Sequence, residues 1–468
     1  MVKPLCLGVG LALTVTACTD EVATSEIESL LRNNHSLPNG TPVKNPTGKT
    51  ATVSTAGSID LTNPFFADLG TNGRRCVSCH LPTAGWSITP DQVQQIFDAT
   101  RGCEIDDGFG LGAMFRLNDG ANAPNADVST LAARREAYSM LLTKGLIRVG
   151  IAMPENAEFE LAAIDDPYGW ATPDDVSMFR RPLPSTNLKF LSAVMWDGRE
   201  TFPGETIHFD LTVQSSDATT GHAQGAPLSQ EQREAIVEFE LGLHTAAVWD
   251  KDAKNLNAWD AKGGPDAICD QQFYIGINDL FGDSQTGAPF NPVVFDLYDT
   301  WTTAPNGDSR RAVARGQALF NTRRLDIEGV AGINDDDAFG KPQRVAGTCS
   351  TCHDSPNGGN HSTSVPLDIG LVDEALRTPD LPLYTLRNKT TGEIKRVTDP
   401  GRAMITGKWQ DIGKFKGPVL RGLAARAPYF HNGAAASLAD VVDFYDTRFR
   451  MHLTHREKAD LVAFLRTL

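Results

Sequence analysis

Two five-residue stretches, Cys76-Val77-Ser78-Cys79-His80 and Cys349-Ser350-Thr351-Cys352-His353, each place two thiols three positions apart with a histidine directly after them. That pattern suits covalent haem attachment, in which the thiols form thioethers to the porphyrin vinyl groups and the histidine reaches the iron as proximal ligand. A CxxC redox pair has no need of the histidine. A zinc site could use it, but two identical, distant stretches suit two independent attachments better than one four-ligand cage. The expectation is two covalently bound c-type haems. Cys76, Cys79 and His80 hold the first, Cys349, Cys352 and His353 the second, and the two histidines ligate iron.

The chain start fits export. Lys3 precedes an apolar run from Leu5 to Ala17, far short of the roughly 20 residues a membrane-spanning helix needs, so residues 1–17 read as a removed signal. Val15-Thr16-Ala17-Cys18 resembles a lipoprotein signal-peptidase site, which makes Cys18 the expected lipidated residue. Thr19 does not look like the aspartate that retains lipoproteins at the inner membrane, so a periplasmic protein anchored to the outer membrane is expected, in contact with the membrane through lipid alone. Residues 18–59, polar and without apolar periodicity, read as a flexible tether. The remainder is long enough for two domains, expected over 60–305 and 306–468, with one haem in each. A formal charge of -15 argues against nucleic acid and favours a basic partner or simple solubility. Of the eight cysteines, Cys103 and Cys269 are left without a haem, lipid or signal assignment and could pair in an oxidising compartment.

Helix signals dominate, and the fold class expected is mainly α, with two cytochrome c-like haem domains. Thr89 with Gln92, Ser229 with Gln232, Ser437 with Asp440 and Thr454 with Glu457 have the spacing of N-terminal caps ahead of apolar stripes. Residues 310–320 are also helix-like, and by analogy with cytochrome c folds this helix would cross the terminal one, with small Gly316 permitting a close approach. Strand signals are few, the best being Leu146 to Ala152.

The order of motifs resembles the bacterial di-haem cytochrome c peroxidase superfamily, which includes MauG-type enzymes. Besides the two CxxCH stretches, Met195 to Glu200 (MWDGRE) resembles that family's FWDGR, and Lys414 to Gly433 (KFKGPVLRGLAARAPYFHNG) resembles its FKxPxLRNxxxTxPYFHDG. The resemblance implies that peroxide reacts at the N-terminal haem and that the C-terminal haem transfers electrons. It implies that Trp196 lies between them as a relay, and that Arg421 meets haem propionates through its guanidinium fork. Fourteen residues after His431, where the peroxidases carry a methionine ligand, stands Tyr445, matching the tyrosine ligand of MauG-type enzymes; Met451 and His452 are the alternatives. No histidine occurs between His80 and His208, and Pro173 takes the place of the removable distal ligand. The first haem should therefore keep an open position, unless Met114, Met140, Met153 or Met178 caps it. Where family members use a glutamate for proton transfer, this chain offers His222, whose imidazole titrates nearest neutral pH, and Gln224. The carbonyls of Arg426 and Pro428 match calcium-binding positions, but Arg181 replaces the asparagine ligand, which leaves calcium doubtful. The acidic run Asn334 to Asp337 lacks the spacing of a calcium loop.

These features point to a periplasmic oxidoreductase that reduces hydrogen peroxide with electrons from a small cytochrome c or cupredoxin, or that oxidises a protein substrate. A non-enzymatic di-haem electron carrier and a haem dioxygenase are the alternatives. The carrier would lack an open iron position, and the dioxygenase would take up oxygen with an alkene.

Overall fold

The computed structural model describes Leu31, residues 34–104 and residues 109–468. Cys18, the signal segment and the start of the tether lie outside the described residues. The four capped helices form where the caps predict. Thr89 caps Pro90–Thr100, and Ser229, Ser437 and Thr454 close reciprocal capping boxes on Gln230–Gly242, Leu438–Arg448 and His455–Leu465. A further helix, Ser309–Thr322, crosses the terminal helix at Gly316, where a Cβ would meet the Asp460 carbonyl oxygen at 2.0 Å. Only glycine permits that approach, and it lets Phe464 pack on Phe295 and Phe320.

Two main cores result. One gathers Val77, Trp86, Phe97, Phe115 and Leu141 around the first CxxCH; the other gathers Phe295, Trp301, Phe320, Val442 and Phe464 around the second. Val294 to Trp301 pack in the second core although they precede residue 306. A third cluster joins the halves, and its sheet pairs Phe159–Asp165 with Leu383–Asn388, antiparallel across the midpoint of the chain. Among the described residues no helix is long and apolar enough to cross a membrane.

Helices organise the two cores, yet strands are more numerous than expected. Ile147–Ile151 matches the predicted strand and pairs with Val176–Arg180. The tether assignment is corrected from residue 36 onward: Ser36–Pro38, Pro42–Asn45, Gly48–Ser54 and Ser58–Asp60 are strands, and Gly48–Ser54 pairs along Leu243–Asp250. This segment hides its role because small and β-branched residues fill the interior in place of large apolar ones. Thr52 and Thr245 share a buried hydroxyl hydrogen bond of 2.8 Å, and the Trp86 indole donates to Thr52 at 3.0 Å. The Cys103–Cys269 pairing is also corrected: Cys269 is free while Cys103 is disulfide-bonded. The acidic run is a turn in which Asp336 caps the short helix Asp337–Phe339.

Candidate active site

Both CxxCH stretches adopt the same local geometry. Each starts a single 3₁₀ turn, closed by the second cysteine's N–H on the first cysteine's carbonyl, and the histidine N–H donates to the same carbonyl, at 3.0 Å for His80 and 3.1 Å for His353. The third residue's hydroxyl closes the turn from behind, Ser78 accepting from the Arg75 N–H and Thr351 from the Thr348 N–H. Two cysteines and a histidine are thereby brought to one side of a tight loop.

The ring orientations suit iron. His80 Nδ1 lies 3.2 Å from the Trp86 carbonyl and 3.0 Å from Ser185 Oγ; His353 Nδ1 lies 2.6 Å from the Gly359 carbonyl. A carbonyl can only accept, so Nδ1 carries the proton and the Nε2 lone pair is left for a metal. Burial pushes the Cys76 thiol up to about 12 and Cys79 to about 11, and holds Cys349 and Cys352 at about 12. Such thiols are poor thiolate ligands and poor redox nucleophiles. No three His, Cys, Asp or Glu side chains among the described residues cluster as a metal cage.

A cavity of about 270 Å³ opens beside the first motif, lined by Cys76, Cys79, His80, Met114, Trp196 and His222. Of the four methionines considered as caps, Met114 alone lines it. His222 ends the helix Ile207–His222, and its Nδ1 lies 2.7 Å from Asp119 Oδ2. Burial would raise the Asp119 carboxyl, but Arg74 and His222 beside it hold it far below the usual range. Gln224 is exposed, lies outside the cavity lining and reaches Arg116 at 3.4 Å. The sequence reading missed Asp119, which sits in an ordinary Asn-Asp-Gly turn with no distinguishing signal. Glu240 was missed too, though it follows Ile236 and Val237 on the buried helix face, where a carboxylate is out of place. It lines the cavity, and burial, opposed by Ser185, pushes it up to about 7.

Buried positive charge is the other sign of a missing group. Arg421, Arg426 and Lys416 are nearly inaccessible, and among the described residues their hydrogen-bond partners are main-chain carbonyls: Gly264 and Asn357 for Arg421, Val419 and Arg421 for Arg426, and Ala193 for Lys416. Burial pushes Lys416 down to about 7 and both arginines to about 10, and Arg421 Nε has no hydrogen-bond partner among the described residues. Uncompensated buried cations are costly, and haem propionates are the anions that would match them. The residues fit the cofactor.

From the cavity wall an aromatic path leads to the second motif. Trp196 meets His431 edge-on with ring centres 6.2 Å apart, and the next residue, Phe430, lies 6.3 Å from Tyr445. His431 is buried, stacked at 4.0 Å on Phe415, and neither ring nitrogen has a hydrogen-bond partner among the described residues. Tyr445 is half-buried against the second core beside Cys352 and Cys349, and desolvation, then the two cysteines, raises its phenol. Its hydroxyl makes no hydrogen bond among the described residues, whereas His452 is exposed and Met451 is packed in the second core.

Comparison with known proteins agrees with this geometry. The cytochrome-c peroxidase IdrP2 of Pseudomonas sp. (strain SCT) is 32% identical over 303 residues, covering 62% of this chain and 68% of that one. The chain belongs to the di-haem cytochrome c peroxidase superfamily. Membership implies c-type haem as cofactor. IdrP1 of the same strain is 32% identical over 199 residues, so that the match spans 38% of this chain and only 44% of that relative's length. A solved MauG-like protein associated with microbial copper homeostasis matches 66% of this chain and 76% of its own at 18% identity, with a TM-score of 0.34. No protein-family model matches.

Proposed function

We propose that the chain is a periplasmic, lipid-anchored di-haem peroxidase that converts hydrogen peroxide, two protons and two electrons into two waters. Cys76, Cys79 and His80 would hold the haem whose iron would take peroxide, and Cys349, Cys352, His353 and Tyr445 would hold the one that would supply electrons. The observation that carries this reading is one cavity that joins the first CxxCH, a histidine tied to a carboxylate and the Trp196 wall.

His222 does the proton work. Asp119 accepts from Nδ1–H and fixes the tautomer, which leaves Nε2 to take a proton from one peroxide oxygen and return it to the departing one. Arg74 keeps Asp119 ionised, so the imidazole can gain charge without losing its orientation. Trp196, His431, Phe430 and Tyr445 form the path along which oxidising equivalents pass to the second site. Tyr445 favours the MauG-like branch: a phenolate is a hard anionic donor that stabilises oxidised iron and lowers its potential. That branch oxidises a protein substrate, while the plainer variant draws electrons from a small cytochrome or cupredoxin.

Mixing the purified haem-loaded protein with peroxide in a stopped-flow spectrometer tests the core claim. Absorption changes at both haems are expected, and an unaltered spectrum would reject it.

A further inference from the structure

Arg181 is buried at 5% exposure and has no carboxylate partner among the described residues. Its guanidinium instead donates to three main-chain oxygens from three separate segments: Lys144 at 2.7 Å, Ile88 at 2.6 Å and Arg426 at 3.1 Å. Room for it is built in. Lys144 ends the helix Ser139–Lys144, and Gly145 follows with φ 60°, where a Cβ would stand 2.5 Å from the guanidinium. The helix end thus offers its carbonyl to a cation, as helix C-termini favour.

The main chain of the same residue joins the path described above. The Arg181 N–H donates to the His431 carbonyl at 2.7 Å, and its own carbonyl accepts the Trp196 indole N–H at 2.8 Å. One residue therefore touches the first core, the Trp196 wall and the segment that carries His431.

Converging carbonyl oxygens are what a hard divalent cation seeks. The family resemblance places calcium at the Arg426 carbonyl, but here that oxygen is taken by Arg181 and the cage holds no carboxylate. The residues do not fit calcium. We propose that the Arg181 guanidinium is a tethered replacement for the metal, which positions Trp196 between the two halves and makes their junction independent of divalent ions. Arginine suits this role because its planar fork reaches several acceptors at once and keeps its charge when buried. Burial and then the like charge of Arg426 push it down only to about 9, so it stays charged at neutral pH.

The purpose of holding Trp196 rests on the relay reading; the exclusion of calcium does not, and two measurements keep them apart. Calorimetric titration of metal-stripped wild-type holoprotein with calcium, alongside its thermal unfolding midpoint and haem absorption, should give no heat and no shift. Stoichiometric calcium binding, or a spectrum altered by chelator, would overturn the proposal whatever the protein does with peroxide. Arg181→Asn empties the cage: its unfolding midpoint should drop and recover in part with calcium but not with magnesium. Electron exchange between the haems should slow in the variant by about tenfold or more, and Arg181→Lys should restore part of it. An Arg181→Asn protein that folds, ignores calcium and exchanges electrons at the wild-type rate would also overturn the proposal. Should that variant not fold, the wild-type titration decides alone.

Discussion

His222 Nδ1 stands 2.7 Å from Asp119 Oδ2, across 103 positions of sequence, and Arg74 pairs with the same carboxylate. The imidazole is therefore held by an anion whose charge is itself secured. Asp119→Asn keeps the shape but can present an N–H where His222 needs an acceptor. Peroxide turnover should fall by about 10²-fold or more, with haem content by pyridine haemochrome unchanged. His222→Ala should lose a similar factor, and the double variant little more.

Tyr445 lies beside both cysteines of the second motif, and its hydroxyl makes no hydrogen bond among the described residues. Replacing it with methionine should raise the second haem's potential by on the order of 0.1 V, within the roughly 0.8 V that axial ligands command. Redox titration followed in the visible spectrum reads this directly, and an unchanged potential would remove Tyr445 as a ligand.

Arg180 is buried between Asp399 and Asp197, both with almost no exposure. Arg180→Met takes the paired guanidinium from buried Asp399 and leaves Asp197 with Arg199 alone, and should cost about 3–5 kcal/mol in urea unfolding. Burial opposes ionisation of Asp197, but Arg180 and Arg199 hold it at about 2. Its folded value lies below its unfolded value of about 4. Its contribution should be complete above that unfolded value and should drain away as the pH falls toward 2. Unfolding midpoints measured across acidic pH check the sign.

Glu240 shifts the opposite way, up to about 7. A carboxyl that is raised on folding costs stability as it ionises, so stability should decline as pH rises from about 4.5 toward 7 and then level off. Glu240→Gln should flatten that decline and be the more stable protein above pH 7 by the same unfolding assay.

Each of these relationships contrasts with what local sequence already decides. The CxxCH stretches, the caps at Thr89, Ser229, Ser437 and Thr454, and the glycine at the helix crossing are legible because each interaction closes within a few residues or rests on an intrinsic property of one residue type. Trp196, His222 and Tyr445 could be named by motif and position. What surrounds them could not. Asp119 reaches His222 across 103 positions and Arg181 reaches Arg426 across 245. The strand Gly48–Ser54 is held by Leu243–Asp250, Thr52 reaching Thr245 across 193 positions. Such pairings depend on which segments the two cores bring together. Burial then fixes the charge on Glu240, Arg181 and Lys416, because desolvation acts on a side chain only once the rest of the fold has closed around it.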